Sequence, residues 1–303
     1  MSIESEQTLR TGYVALVGRP NVGKSTLLNG LLGMKISIVS RKPQTTRHRI
    51  LGITTNRQAQ IVWVDTPGLH RKQHRALNRS MNRTAVAALR DVDLVVFVVE
   101  ALQWTDDDAL VLEKVKQCGL PCILVVNKED LVTPREKLLP FMETMSQRHA
   151  FEEIIPLSAR QGGQARILER LVATRLPETE MFLFPEEQVT DRSERFLVAE
   201  LIREQVMKTL GQEVPYSTAI EIEQFKREGN LTRIHAAILV ERPGQKAIMI
   251  GKGGTQLKRI GTAARKEMER LLDGKVFLEL WVKVREGWAD DERAMQSLGY
   301  EES

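Results

Sequence analysis

Cysteine is nearly absent. Cys118 and Cys122 are the only two in 303 residues, and they fit neither a disulfide framework nor a metal-ligand spacing. They flank a predicted strand, so the expectation is a reducing, cytoplasmic setting with two plain thiols. Long apolar runs are missing too: the longest, Leu94 to Val99, falls far short of the ~20 residues that cross a bilayer. Met1 to Thr11 carries Glu4, Glu6 and Arg10 with no apolar stretch behind them, so no secretory leader is expected. Internal repeats and low-complexity tracts are absent as well. With 42% hydrophobic and 28% charged residues, the balance excludes a disordered or collagen-like chain.

What is present is enough chain for two domains and an uneven charge. The net +4 conceals 25 Lys/Arg against 19 Asp/Glu in residues 1–185, and 19 against 21 in residues 186–303. Within the second part, Arg242 to Arg285 holds 11 basic and 4 acidic residues. Acids are wholly missing from Lys35–Arg49 and Arg71–Arg90, which carry five and six basic residues. Such concentrations point to an anionic partner, the alternative being solvated helix faces.

The first part alternates nearly continuous apolar runs with amphipathic segments. Tyr13–Val17, Ile61–Val64, Leu94–Val99, Cys122–Val126 and Ile154–Leu157 read as strands covered on both faces. Lys24–Leu32, Asp108–Cys118, Arg135–His149 and Gln164–Leu176 read as helices between them. This alternation predicts a doubly wound, mostly parallel α/β sheet. Pro177 and Phe184–Pro185 then break the pattern. The predicted division is a first domain over 1–180, a linker over 181–192 and a second domain over 193–303. The second domain reads as helix Ser193–Leu210, strands Ser217–Phe225 and Leu231–Val240, a short helix, helix Thr255–Leu272 and strand Val276–Val284.

Gly18-Arg19-Pro20-Asn21-Val22-Gly23-Lys24-Ser25 is a complete GxxxxGKS, followed by Thr26, placed after an apolar strand and opening a helix. Main-chain N–H groups of such a loop, with the helix N-terminus, wrap a phosphate chain. Lys24 reaches the β/γ-phosphates and the Ser25 hydroxyl takes a place on Mg²⁺. Asp65-Thr66-Pro67-Gly68 ends the second of those strands, where Asp65 can hold Mg²⁺ through water and the Gly68 N–H can meet the γ-phosphate. Asn127-Lys128-Glu129-Asp130 ends the fourth. The Asp130 carboxylate can accept both N1–H and N2–H₂ of guanine, a donor pair that adenine lacks. Ser158-Ala159-Arg160 ends the last, where the Ala159 N–H is expected to meet guanine O6. All fall at strand C-terminal ends, where open α/β sheets place ligands. The ligand expected is therefore GTP or GDP, with Mg²⁺.

These four motifs resemble the translation-factor-related branch of P-loop GTPases. That resemblance implies that Thr46, in Thr45-Thr46-Arg47, closes over GTP as a Mg²⁺ ligand, with Thr45 the competing choice. Lys24, Thr46 and Gly68 are then the expected catalytic group. One residue is conspicuously missing. Ras-like enzymes carry a water-orienting Gln directly after Asp-x-x-Gly, and here Leu69 stands there, followed by His70. Slow intrinsic hydrolysis is expected, with His70 more a loop residue than a base. Related GTPases with an Asn at the position of Asn21 use its carbonyl to help hold K⁺. Asn21 is thus a candidate K⁺ ligand, the alternative being a hydrogen bond within the loop.

Ile250-Gly251-Lys252-Gly253-Gly254 lies between two predicted helices after a predicted hairpin. It resembles the GxxG loop of a KH domain, which lets two helix ends approach the backbone of a single RNA strand. Lys252, Lys258 and Arg259 would neutralise phosphates; a plain helix–helix turn is the alternative. A GTPase domain followed by an α+β type II KH domain resembles the Era family of bacterial GTPases over almost the whole chain, including Gly287–Arg293. The resemblance implies binding near the 3′ end of 16S ribosomal RNA, a role in 30S subunit assembly and peripheral contact with the inner face of the cytoplasmic membrane; no DNA is expected. The competing expectation is a membrane-associated signalling or cell-cycle GTPase whose second domain is an interaction module. A GTP-dependent RNA-modifying enzyme finds no second catalytic constellation in the sequence.

Overall fold

The computed structural model describes residues 8–40, 42, 45–68, 76–210 and 218–288, without the side chains of 76–80 and 162. Leu69 and His70 lie outside the described residues, as do 71–75 at the start of the basic Arg71–Arg90 stretch, the Gly211 end of the predicted helix, Ser217 and the tail beyond Trp288.

The chain divides into two compact units. The first is built on strands β1 (Leu9–Val17), β2 (Ile50–Thr55), β3 (Ala59–Asp65), β4 (Leu94–Glu100), β5 (Cys122–Asn127), β6 (Glu153–Leu157) and β7 (Glu178–Thr179). Their order is β2-β3-β1-β4-β5-β6, with β7 pairing β1. β1, β3, β4, β5 and β6 run parallel; β2 and β7 are antiparallel to their neighbours. Helices α1 (Lys24–Leu32), α2 (Ala76–Ala87), α3 (Asp106–Cys118), α4 (Leu138–Ser146) and α5 (Gly162–Ala173) complete it. Val95–Val99 and Ile123–Val126 are fully buried, as expected for central parallel strands covered on both faces. Their β-branched side chains fill those faces without a polar atom to satisfy.

In the second unit, β8 (Ala219–Glu228), β9 (Leu231–Val240) and β10 (Lys275–Val284) form a sheet ordered β10-β9-β8. β8 and β9 are an antiparallel hairpin, while β10 runs parallel to β9. Helices α6 (Glu194–Thr209), α7 (Pro243–Ile250) and α8 (Thr255–Leu271) accompany the sheet. Val198, Ile202 and Val206 of α6 meet Ile234, Ala236 and Ile238 of β9 and Ile260, Ala264 and Met268 of α8 in one core.

The division is not a single cut. Ile38–Arg47 groups with the second unit, although the chain on both sides of it belongs to the first. Buried groups of α6 explain why. Glu204 accepts the Val39 N–H at 2.9 Å, and Arg203, paired with Glu200, donates to the Thr45 carbonyl. Arg47 donates to the Thr218 carbonyl at 2.8 Å, and Lys42 to that of Leu210.

Candidate nucleotide site and GxxG loop

The loop Gly18–Ser25 joins β1 to α1 as the sequence pattern requires. Helix α1 opens on Gly23, whose φ of 108° is a conformation that L side chains rarely adopt. A Cβ there would come within 2.2 Å of Asn127 Nδ2. No side chain caps the helix, and an N-terminus of this kind suits an anion. Asn21 is exposed with φ 66°, a left-handed conformation that Asn tolerates better than most residues. Val22 is buried beneath the loop.

Lys24 is buried, and its Nζ donates to the carbonyls of Gly18 at 2.9 Å and Arg19 at 3.1 Å. Burial lowers its pKa from 10.5 to about 8, against the pull of Asp65 and Asp108. Asp65 is fully buried, and its Oδ2 accepts the hydroxyls of Ser25 and Ser37, both at 2.8 Å. Burial raises the Asp65 pKa, opposed first by Lys24 and then by the two hydroxyls. Its Oδ1 is buried without a hydrogen-bond partner. A hard cation with oxygen ligands suits such a set, in which a carboxylate is incompletely compensated beside a serine hydroxyl. Gly68 stands against the phosphate loop, where a Cβ would meet the Pro20 nitrogen at 2.7 Å. Thr66 turns its hydroxyl to the Leu16 carbonyl at 2.9 Å, and Pro67 is buried; these two hold the loop in place.

The guanine-side motifs meet through one side chain. Asn127, nearly fully buried, donates from Nδ2 to the Val22 carbonyl at 2.6 Å and accepts the Ala159 N–H on Oδ1 at 2.9 Å. The Ala159 N–H, expected above to meet guanine O6, is here donated to Asn127 Oδ1. Asn127 thereby braces three loops at once. Asp130 is exposed in the short turn Glu129–Leu131, with its carboxylate open to solvent. Arg160 is exposed, and the Ser158 N–H is held by Gln164 at 2.5 Å. Of the two candidate threonines, Thr45 has its hydroxyl engaged with Ser40 and the Lys42 carbonyl. Thr46 is buried in the segment that groups with the second unit, whereas Ser25 and Asp65 belong to the first.

Three residues at this site were missed by sequence reasoning: Ser37, Glu100 and Asp108. The available signal was position, since Glu100 ends β4 and Asp108 lies at the start of α3. In the second unit, Gly251, Gly253 and Gly254 all have positive φ, and a Gly254 N–H to Gly251 carbonyl bond of 3.1 Å closes the turn from α7 to α8. Lys252, Gly253, Lys258 and Arg259 are exposed, and Ile250 is half-buried.

A P-loop GTPase unit followed by a KH unit is the class of protein that this fold and these loops define. Family comparison agrees: residues 13–128 match the 50S ribosome-binding GTPase family, and residues 213–289 the KH domain family. The chain belongs to the Era family of GTPases. It is 58% identical over 291 residues to the GTPase Era of Pseudomonas aeruginosa, covering 96% of this chain and 95% of that relative. With the GTPase Era of Azotobacter vinelandii it shares 56% over 298 residues, 98% of this chain and 99% of the relative. Among solved structures, a point variant of Aquifex aeolicus Era bound to GDP.AlF4⁻ superimposes with a TM-score of 0.92 at 40% identity, covering 96% and 99% of the two chains. An Era complex with MgGDPNP and nucleotides 1506–1542 of 16S ribosomal RNA gives the same score, identity and coverage. The chain is thus a GTPase with an RNA-binding KH domain.

Proposed function

We propose that this GTPase engages the 3′ end region of 16S ribosomal RNA through its GxxG loop and acts, under control of bound GTP, in 30S subunit assembly. The exposed turn from Gly251 to Gly254, with Lys252, Lys258 and Arg259 beside it, carries the reading. A relative superimposing over 96% of the chain was solved with an RNA of that region and MgGDPNP. A fragment covering the 3′ end of 16S RNA should be retained on filters at concentrations where a scrambled fragment is not. Equal retention of both would sink the proposal.

In this reading GTP lies along Gly18–Thr26. Lys24 exchanges the Gly18 and Arg19 carbonyls for β/γ-phosphate oxygens, and the Gly68 N–H meets the γ-phosphate. Ser25 and Thr46 would ligate Mg²⁺ directly and Asp65 through water, and the ion would supply charge neutralisation between the phosphates. Asp130 accepts the guanine N–H pair, with Lys128 and the Ser158–Arg160 loop closing around the base. Leu69 cannot orient water, so a further positive charge is needed for the transferring phosphoryl group. We assign it to K⁺ held by Asn21. Turnover should be faster in KCl than in NaCl at equal ionic strength, and Asn21→Gly, which keeps the left-handed backbone, should erase the difference. Equal rates for the parent in both salts would refute the K⁺ site. Among the described residues no helix is long and apolar enough to cross a membrane, and the proposal contains no membrane step.

A further inference from the structure

The side chain of Arg19 is committed behind the phosphate loop. Its Nε donates to Asp108 Oδ2 at 3.0 Å, and its Nη2 donates to Glu100 Oε2 and Gln103 Oε1, both at 3.1 Å. The same Glu100 oxygen accepts Lys128 Nζ at 2.7 Å. One carboxylate oxygen therefore holds a cation from the phosphate loop and a cation from the guanine loop. Both ends of this bridge are rigidly placed. Glu100 ends β4 directly opposite Asn127 in the parallel register of β4 and β5. Asp108 is fully buried, and its Oδ2 also accepts the N–H and hydroxyl of Thr105 in the box that caps α3. The carbonyl of Arg19 accepts Lys24 Nζ, so the pinned residue also shapes the cradle of the phosphate-binding lysine.

Arg19 and Lys128 are mostly withdrawn from solvent, with side chains 14% and 29% exposed. Without the Glu100 carboxylate, Lys128 would lose this counter-charge while Arg19 kept Asp108, and the repulsion between the two cations would be little screened. We propose that Glu100 is a positioning residue that ties the guanine loop to the phosphate loop, with Asp108 as the fixed anchor. The two ends of a guanine nucleotide are then gripped cooperatively. The proposal rests on the nucleotide reading of the site, and names the device by which base recognition and phosphate binding reinforce one another. Asn127 supplies a neutral brace between the same loops; Glu100 adds the charged one.

The test uses release of a fluorescent GDP analogue from the full-length protein. Glu100→Gln keeps the shape but cannot neutralise two cations, and should speed release by roughly tenfold. Lys128→Met should speed it as well. The double variant should be less than additive, because both substitutions break the same bond. Arg19→Lys retains the charge but loses the two-pronged geometry, and should also release faster; it serves if Glu100→Gln does not fold. Loss of stability alone would lower the unfolding midpoint and leave the cycle additive. Additive single effects, or release from Glu100→Gln at the parental rate, would overturn the proposal. If the parent itself fails to bind the analogue, the nucleotide reading falls first.

Discussion

Lys24 sets two pH dependences of opposite sign. In the nucleotide-free protein burial brings its pKa down from 10.5 to about 8, whereas phosphate oxygens favour the ammonium form. Above about pH 8, binding must therefore take up a proton. GDP affinity should fall with pH by up to roughly tenfold per unit, until the pH passes the lysine's ordinary range. Stability of the nucleotide-free fold moves the other way. The unfolded chain binds more protons than the native one between about 8 and 10.5, so native stability gains from this group as pH rises through that window. Calorimetric titration at about pH 7 and about pH 9.5 in buffers of different ionisation enthalpy measures both affinity and proton uptake; no uptake at the higher pH would refute the assignment. At the other end of the nucleotide, Asp130→Asn replaces a double acceptor by an amide that suits xanthine better. It should weaken GTP binding by roughly 1.5–3 kcal/mol. A competition assay against XTP checks the reversal of preference, and unchanged GTP affinity would count against Asp130.

At the scale of elements, contiguity decided what could be read from the sequence. β1, β3, β4, β5 and β6 carry near-continuous apolar runs, and each was legible within its observed bounds. β2 was not, because Ile50–Thr55 is short and interrupted by Gly52. β7 spans two residues. α2 was hidden among the basic residues of 71–90, whose composition reads first as charge. The phosphate loop was legible because its residues are consecutive. Glu100, Asp108 and Ser37 were not, because only the strand order β3-β1-β4-β5 brings distant segments to one edge. The Ala159 N–H to Asn127 bond was illegible for the same reason, since nothing local reveals that partner. The GxxG turn is a local feature, and its test is local. Gly253 has φ 60°, and a Cβ placed there would have nothing within 4 Å. Gly253→Asp thus meets backbone strain without a packing clash, and brings a negative charge to the turn. RNA binding should collapse while GTP hydrolysis persists; retained RNA affinity would return the turn to a plain helix connection.

Across the whole molecule, the informative segment is Ile38–Arg47. By chain it is an excursion of the nucleotide unit, and by packing it belongs to the RNA-binding unit. Its main chain is held at Val39 by Glu204 and at Thr45 by Arg203, and Arg47 is anchored on Thr218. If Thr46 closes on a nucleotide, the bonds to α6 and the bonds to the ligand act on the same ten residues, so their energies are linked. Linkage is reciprocal: whatever GTP does to RNA affinity, RNA does to GTP affinity. RNA should bind more tightly with a GTP analogue than with GDP, since ordering of such segments by the γ-phosphate is the usual GTPase transition. The link can be weakened without leaving a bare buried charge. Glu200→Gln with Arg203→Met removes both members of the buried pair together, which costs far less than removing one. In the double variant the ratio of RNA affinities with GTP analogue and with GDP should move toward one, while GTP affinity in the absence of RNA shifts by less than the ratio does. A parental ratio of one at matched salt would show that the units are joined in sequence but not in energy. A ratio that survives the double variant would place the coupling in contacts other than the Glu200–Arg203 pair, the Glu204 bond to Val39 among them.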